Sequence, residues 1–171
     1  MTNSLQKSTR AGSRRKCPRH RYGDGVEEID RAIVSLLSAD GRMSFTELAK
    51  RTGLSVSAVH QRVRRLEQSG VIRGYAALCN ADEIGLPLTA FISIKPFDVA
   101  APDDVPQRLE PIAAIEACHS VAGDENYILK VRVASPLALE DLLQEIRAVA
   151  GVSTRTTIVL STPYENRPPG I

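Results

Sequence analysis

Apolar residues recur every three or four positions through EEIDRAIVSLLSADGR, where Ile29, Ala32, Ile33, Leu36 and Leu37 line one face of a predicted helix that Gly41 stops. Ser44 followed by Glu47 in SFTE is a capping-box pattern. It opens a short helix with Phe45, Leu48 and Ala49 as its apolar side, ending at Thr52-Gly53. Ser55 then caps a third helix that runs to Gly70. On a wheel of about 100° per residue, Val56, Val59, Val63 and Leu66 fall together as a packing face. Ser57, Gln61, Arg64 and Arg65 gather opposite, with His60 at one boundary and Arg62 at the other edge. Two short helices joined by a Gly-bearing turn form the helix-turn-helix pattern.

Beyond Gly70 the periodicity changes. VIRGYAAL reads as extended and CNADEIGLP as turn and linker. LTAFISIKPF alternates Leu88, Ala90, Ile92 and Ile94 at period two, the mark of a strand. PDDVPQRLEPIA reads as a short helix, IEACHSVAG and NYILKVRVA as strands joined by the turn GDEN, SPLALEDLLQEIRAVAG as a longer helix and STRTTIVLS as a last strand. The order β-α-β-β-α-β is the split βαβ arrangement of a ferredoxin-like domain. Both helices of such a sheet lie on one face, and the other apolar face needs a cover, most simply a partner subunit. The chain therefore divides into a basic tail (1–25), a helix-turn-helix domain (26–75), a linker strand and turn (76–87), a ferredoxin-like domain (88–162) and a C-terminal tail (163–171).

Composition changes the picture little, but the distribution of charge changes it a good deal. The 43% hydrophobic and 25% charged residues of the 171-residue chain are ordinary globular values. The net charge of +2 hides a gradient: +6 over residues 1–25, +2 over 26–75 and −6 over 76–171. The N-terminal part suits a polyanion and the C-terminal part does not. No apolar run approaches the roughly 18 residues of a membrane span. The N-terminus has no apolar signal region either, so the expected location is cytoplasmic and nucleoid-associated, with no membrane partner. Cys17, Cys79 and Cys118 are too few and too far apart for a disulfide framework. Cys17 and His20 in CPRH have ligand-like spacing but no second pair nearby to complete a zinc site, so no metal is expected.

The outer face of the third helix has a chemical gradient. Ser55 and Ser57 near its start are short hydrogen-bonding residues, Gln61 is planar, and guanidinium groups follow. A recognition helix needs this order, because its N-terminal residues enter the major groove while neighbouring cations engage phosphates. Gln61 is the candidate for an adenine edge and Arg64 for a guanine, while Arg62 and Arg65 are better placed for backbone phosphates. His60 and Arg73 complete the candidate DNA-contacting set. Arginine runs also occur on ordinary solvated helices; the capped helix before this one, the Gly-bearing turn and the extended segment with Arg73 after it favour nucleic acid.

With LSVSAVHQRVRRLE, GVIRGY and the later AGDENYIL in view, the chain resembles the Lrp/AsnC (leucine-responsive and asparagine-regulator, feast/famine) transcription factors, most closely their mycobacterial-type members, over about residues 26 to 162. The resemblance implies an α+β architecture: an N-terminal winged helix-turn-helix plus a C-terminal ferredoxin-like βαββαβ amino-acid-sensing domain. It implies a regulator of amino-acid metabolism genes that assembles as a dimer and further as a tetramer or octamer. It implies a free amino acid as effector rather than a cofactor, bound near the loop joining the second and third strands of the sensing domain: Gly123, Asp124, Glu125, Asn126 and Tyr127. Many relatives have an aspartate where Asn126 stands. A neutral amide is a weaker partner for an ammonium group than a carboxylate, and Asp124 or Glu125 is left to supply the charge. The residues alone read GDENY as a hairpin turn; both readings hold if the turn presents backbone N–H groups to a carboxylate. Thr154, Thr156 and Thr157 are expected near the same cleft, although β propensity alone accounts for them. Cys118 and His119, on opposite faces of a strand, are expected to fill core or interface.

Two other functions fit the same layout. Some decarboxylases of haem biosynthesis share it, but here the three histidines (20, 60 and 119) are scattered and no catalytic set, metal cluster or phosphate loop is evident, so no catalytic residue is assigned. A non-DNA-binding partner of related regulators would not need the arginines of the third helix. The expected DNA is double-stranded and pseudo-palindromic, with half-sites about one helical turn or a multiple apart.

Overall fold

The structure, a computed structural model, describes residues 27–98 and 102–170. The basic tail with Cys17 and His20 lies outside the described residues. The chain forms two compact units that divide between Gly74 and Tyr75.

The first unit contains α1 (Glu28–Ala39), α2 (Phe45–Thr52) and α3 (Val56–Gln68). Ile33 and Leu37 of α1, Leu48 and Ala49 of α2 and Val59, Val63 and Leu66 of α3 close on one core. Each Val, Leu or Ile side chain buried this way contributes about 1.5–3 kcal/mol. The Ser44 hydroxyl accepts from the Glu47 N–H at 3.1 Å. The reciprocal half of the capping box does not form, because the Glu47 carboxylate takes the Arg51 guanidinium at 2.8 Å. Gly53 ends α2 in the left-handed region (φ 71°), where a β-carbon would cost about 1–2 kcal/mol, and this residue sets the turn into α3. Two expectations fail locally. Val56 is 47% exposed rather than packed, because it stands at the first position of α3 and Leu54, from the turn, packs against the core in its stead. Residues 71–80 are not a strand; among the described residues neither the extended segment nor the linker strand finds a second strand to pair with.

The second unit is a sheet of β1 (Leu88–Pro96), β2 (Ile115–Ser120), β3 (Tyr127–Val133) and β4 (Val152–Ile158), in spatial order β2-β3-β1-β4 with every neighbouring pair antiparallel. α4 (Val105–Leu109) and α5 (Pro136–Ala150) cover one face. Their Val105, Leu109, Leu139, Leu142 and Ile146 meet Ala90, Ile92, Ile94, Leu129 and Val131 in a single core. This is the expected βαββαβ order.

The opposite face is not the continuous apolar surface expected of it. It pairs Phe91 with Lys130 and Thr89 with Arg132. Lys130 reaches Glu116 of β2 at 2.9 Å and Glu165 of the C-terminal segment at 2.5 Å, and Arg132 reaches Glu116 at 2.6 Å. Cys118 and His119 are exposed on the edge strand β2 instead of filling core. Among the described residues, no helix is long and apolar enough to cross a membrane.

Candidate functional site

The first candidate surface is the outer side of α3. Ser55 caps the helix, its hydroxyl accepting from the Ala58 N–H at 3.2 Å and sharing a hydrogen bond with the Ser57 hydroxyl at 3.1 Å. These bonds fix the first turn and the serines that would stand at its tip. Ser57, Gln61 and Arg64 are exposed, and among the described residues nothing pairs with the Gln61 amide or the Arg64 guanidinium. His60 meets Phe45 edge to face at 5.2 Å, so it is tied to α2 at the border of the face. Arg73 is exposed in the irregular segment after the helix.

Arg62 and Arg65 are arranged differently from the expectation that they reach out to phosphates. Arg62 donates to Asp30 and to Glu27 at 2.8 Å each, and Arg65 donates to the other oxygen of Asp30 at 2.5 Å. Asp30 is the one acidic side chain among the described residues that is buried, at 4% exposure. Burial pushes its carboxyl up, but the bonds from Arg62 and then Arg65 outweigh burial and hold it below the ordinary carboxylate range. The bonds that Arg62 donates to Glu27 first and Asp30 second raise its own pKa above the ordinary guanidinium value. Both guanidinium groups therefore begin committed to α1. Sequence reasoning missed Asp30, although a signal existed: Asp30, Ile33 and Leu37 share one face at helical spacing, so a carboxylate stands on the packing stripe.

The second candidate site is the hairpin between β2 and β3. Val121 donates its N–H to the Asn126 carbonyl and Asn126 its N–H to the Ile94 carbonyl, each at 3.1 Å, closing a tight loop. Among the described residues, no backbone hydrogen bond uses the N–H of Gly123, Asp124 or Glu125. The loop borders a cavity of about 550 Å³ whose lining includes Lys95, Asp103, Gly123, Glu125, Asn126 and Tyr127. Asp124 is not in that lining. Tyr127 is 5% exposed, and its hydroxyl donates to Asp103, which together with burial pushes the phenol up to about 12. Glu125 pairs with Arg155 of β4.

Thr154 and Thr156 do not border this cavity. They pair with Ile94 and Ile92, and so point to the helix-covered side of the sheet, where the Thr154 hydroxyl accepts from Arg147 of α5 at 3.2 Å. Arg155, one residue along and facing the other way, is the β4 residue that reaches the hairpin. Alternation along a strand decides which of two neighbours arrives.

Residues 26–73 match the family model described as winged helix-turn-helix DNA-binding, and residues 89–169 that of the Lrp/AsnC ligand binding domain. The HTH-type transcriptional regulator LrpA of Mycobacterium tuberculosis is 56% identical over 144 residues, which is 84% of this chain and 96% of that protein. The leucine-responsive regulatory protein of Escherichia coli is 41% identical over 145 residues, 82% of this chain and 88% of that protein. A feast or famine regulatory protein of M. tuberculosis, solved in complex with L-methionine, is 55% identical and superimposes with a TM-score of 0.83 over 85% of this chain and 100% of its own.

Proposed function

From the premise that this chain belongs to the Lrp/AsnC family of transcriptional regulators, we propose that it binds double-stranded DNA sequence-specifically through α3 and changes that grip when a free amino acid occupies the β2–β3 hairpin. The observation that carries the DNA half is the outer face of α3: a hydroxyl pair fixed by the helix cap, then an amide and a guanidinium that nothing among the described residues pairs, all exposed on one side. A helix laid in the major groove offers these groups to base edges in that order. In this reading Gln61 reads an adenine, Arg64 a guanine, and Ser55, Ser57, His60 and Arg73 make positioning contacts.

The effector half is supported by the N–H groups of Gly123, Asp124 and Glu125, which no backbone hydrogen bond among the described residues uses and which suit a carboxylate, and by the acidic side chains in the cavity lining for an ammonium group. The L-methionine bound to the mycobacterial relative belongs to the same chemical class. Asn126 contributes an amide, so Glu125 supplies the negative charge at the hairpin, shared with Arg155. The protein works as a homo-oligomer, at least a dimer, on pseudo-palindromic DNA. Its effector acts by favouring one assembly or DNA-bound state over another.

Fluorescence anisotropy against the DNA upstream of its own gene and against a scrambled duplex, over a range of salt and with a panel of amino acids, tests both halves. Specific binding that one amino acid shifts is expected. Specific binding indifferent to every amino acid refutes the sensing half, and equal binding to both duplexes refutes sequence reading.

A further inference from the structure

The Asp30 cluster invites a question that the DNA reading leaves open: why a helix meant for a polyanion has two of its guanidinium groups already paired inside the protein. Asp30 lies on the packing stripe of α1 yet touches two arginines of α3, one through each carboxylate oxygen. Glu27, exposed at the start of α1, adds a second carboxylate at 2.8 Å from Arg62 and 3.8 Å from Arg65. Two acids thus face two arginines and locally cancel their charge. A bidentate or shared carboxylate presents to a guanidinium the same planar pair of acceptor oxygens that a phosphate would. The Arg65 side chain remains 56% exposed, so solvent and a polyanion can reach it without disturbing the core.

We infer that Asp30, aided by Glu27, is a specificity-determining residue: an internal stand-in for phosphate that occupies Arg62 and Arg65, so that any duplex must exchange one ion pair for another to recruit them. Non-specific affinity comes almost wholly from phosphate neutralisation, and the carboxylates suppress that component. Base reading by Gln61 and Arg64 is left untouched, because neither is engaged by the cluster. Discrimination between operator and bulk DNA rises as a result, at the expense of raw affinity. Asp30 acts through the arginines and makes no contact with DNA itself. The inference rests on the DNA-binding reading above.

The test measures binding of the full-length protein to an operator and to a scrambled duplex across salt, together with the salt needed to elute it from heparin. Asp30→Asn is expected to tighten the scrambled duplex by about threefold to tenfold and to steepen its salt slope by about 1–2 per protomer, one or two newly recruited phosphates. Operator-over-scrambled preference should fall by a similar factor. Glu28→Gln, with the same change in net charge on the same helix turn, should give little of this. In an Arg62→Ala/Arg65→Ala background the effect of Asp30→Asn should vanish. Should Asp30→Asn fail to fold, Glu27→Gln, at an exposed position, is expected to show a smaller shift in the same direction. Equal weakening of both duplexes with an unchanged slope would reduce Asp30 to a helix prop, and an equal response to Glu28→Gln would reduce it to bulk charge; either overturns the inference while leaving the DNA reading intact. A wild-type protein with no salt-dependent DNA binding would overturn both.

Discussion

The outer face of α3 and the β2–β3 hairpin are assembled by opposite routes. The candidate base-reading groups of the first surface come from one helix and its cap, so a period of 3.6 and a cap decide which of them stand together. The cavity at the second draws on β1, the segment before α4 and the hairpin, so its lining spans residues 95 to 127. A local surface can be read from its own segment. A convergent one depends on register, and register is a property of paired strands. The contrast extends to charge: two arginines of α3 are paired by acids at the start of α1, while among the described residues no backbone hydrogen bond uses the N–H groups of Gly123, Asp124 and Glu125 at the hairpin.

The largest effect that would sharpen this contrast is expected at Gly123. A β-carbon there meets nothing within 4 Å, so Gly123→Thr should leave thermal unfolding within about 0.5 kcal/mol of the parent, as for an ordinary surface change. On the proposed effector site a side chain added to Gly123, which lines the cavity, takes up ligand space, and the anisotropy response to effector should be abolished while DNA binding persists. An unchanged effector titration would move the site elsewhere.

Gln61→Ala comes next. Loss of a bidentate contact to a base should cost about 1–3 kcal/mol at one position of the operator. Competition with operators substituted at each base pair would show preference relaxing at that position alone, and uniform weakening would refute the assignment. Arg64→Ala should act on the same face with a smaller effect, relaxing preference at a guanine while the salt slope stays unchanged. A slope lower by about 1 with guanine preference kept would instead place the guanidinium on a phosphate.

The smallest expected effect concerns acid. The carboxyl of Asp30 is depressed in the folded protein, so the stability it contributes is present above its unfolded value of about 3.9 and is lost as pH falls through the lower folded value. The helical unit should therefore melt at progressively lower temperature below about pH 4. Asp30→Asn should melt lower than the parent at neutral pH and converge with it in acid, measured by circular dichroism across pH. Parallel profiles would mean that the ion pairs contribute nothing to folding.

Much of this architecture was legible in order. Ser44, Gly53 and Ser55 each carry a local rule about caps and turns, and each occupies the position that rule assigns. The alternation of Ala90, Ile92 and Ile94 likewise located the buried side of β1. What was not legible came from contacts between distant residues. Arg62 and Arg65 looked free because the wheel of α3 knows nothing of Asp30, more than thirty positions earlier. Thr154 and Thr156 were expected near the hairpin cleft from their place on the last strand, and only the pairing of β4 with β1 turned them toward α5.

The sequence by itself determined the elements, their order and the side of each that is apolar, because helix period, strand period and capping are decided by neighbours a few bonds apart. The tertiary structure alone decided which charges are spent inside the protein and which remain for a partner. Electrostatic pairing acts through space, and an arginine that is available in the sequence is available in the molecule only if no buried carboxylate has claimed it first.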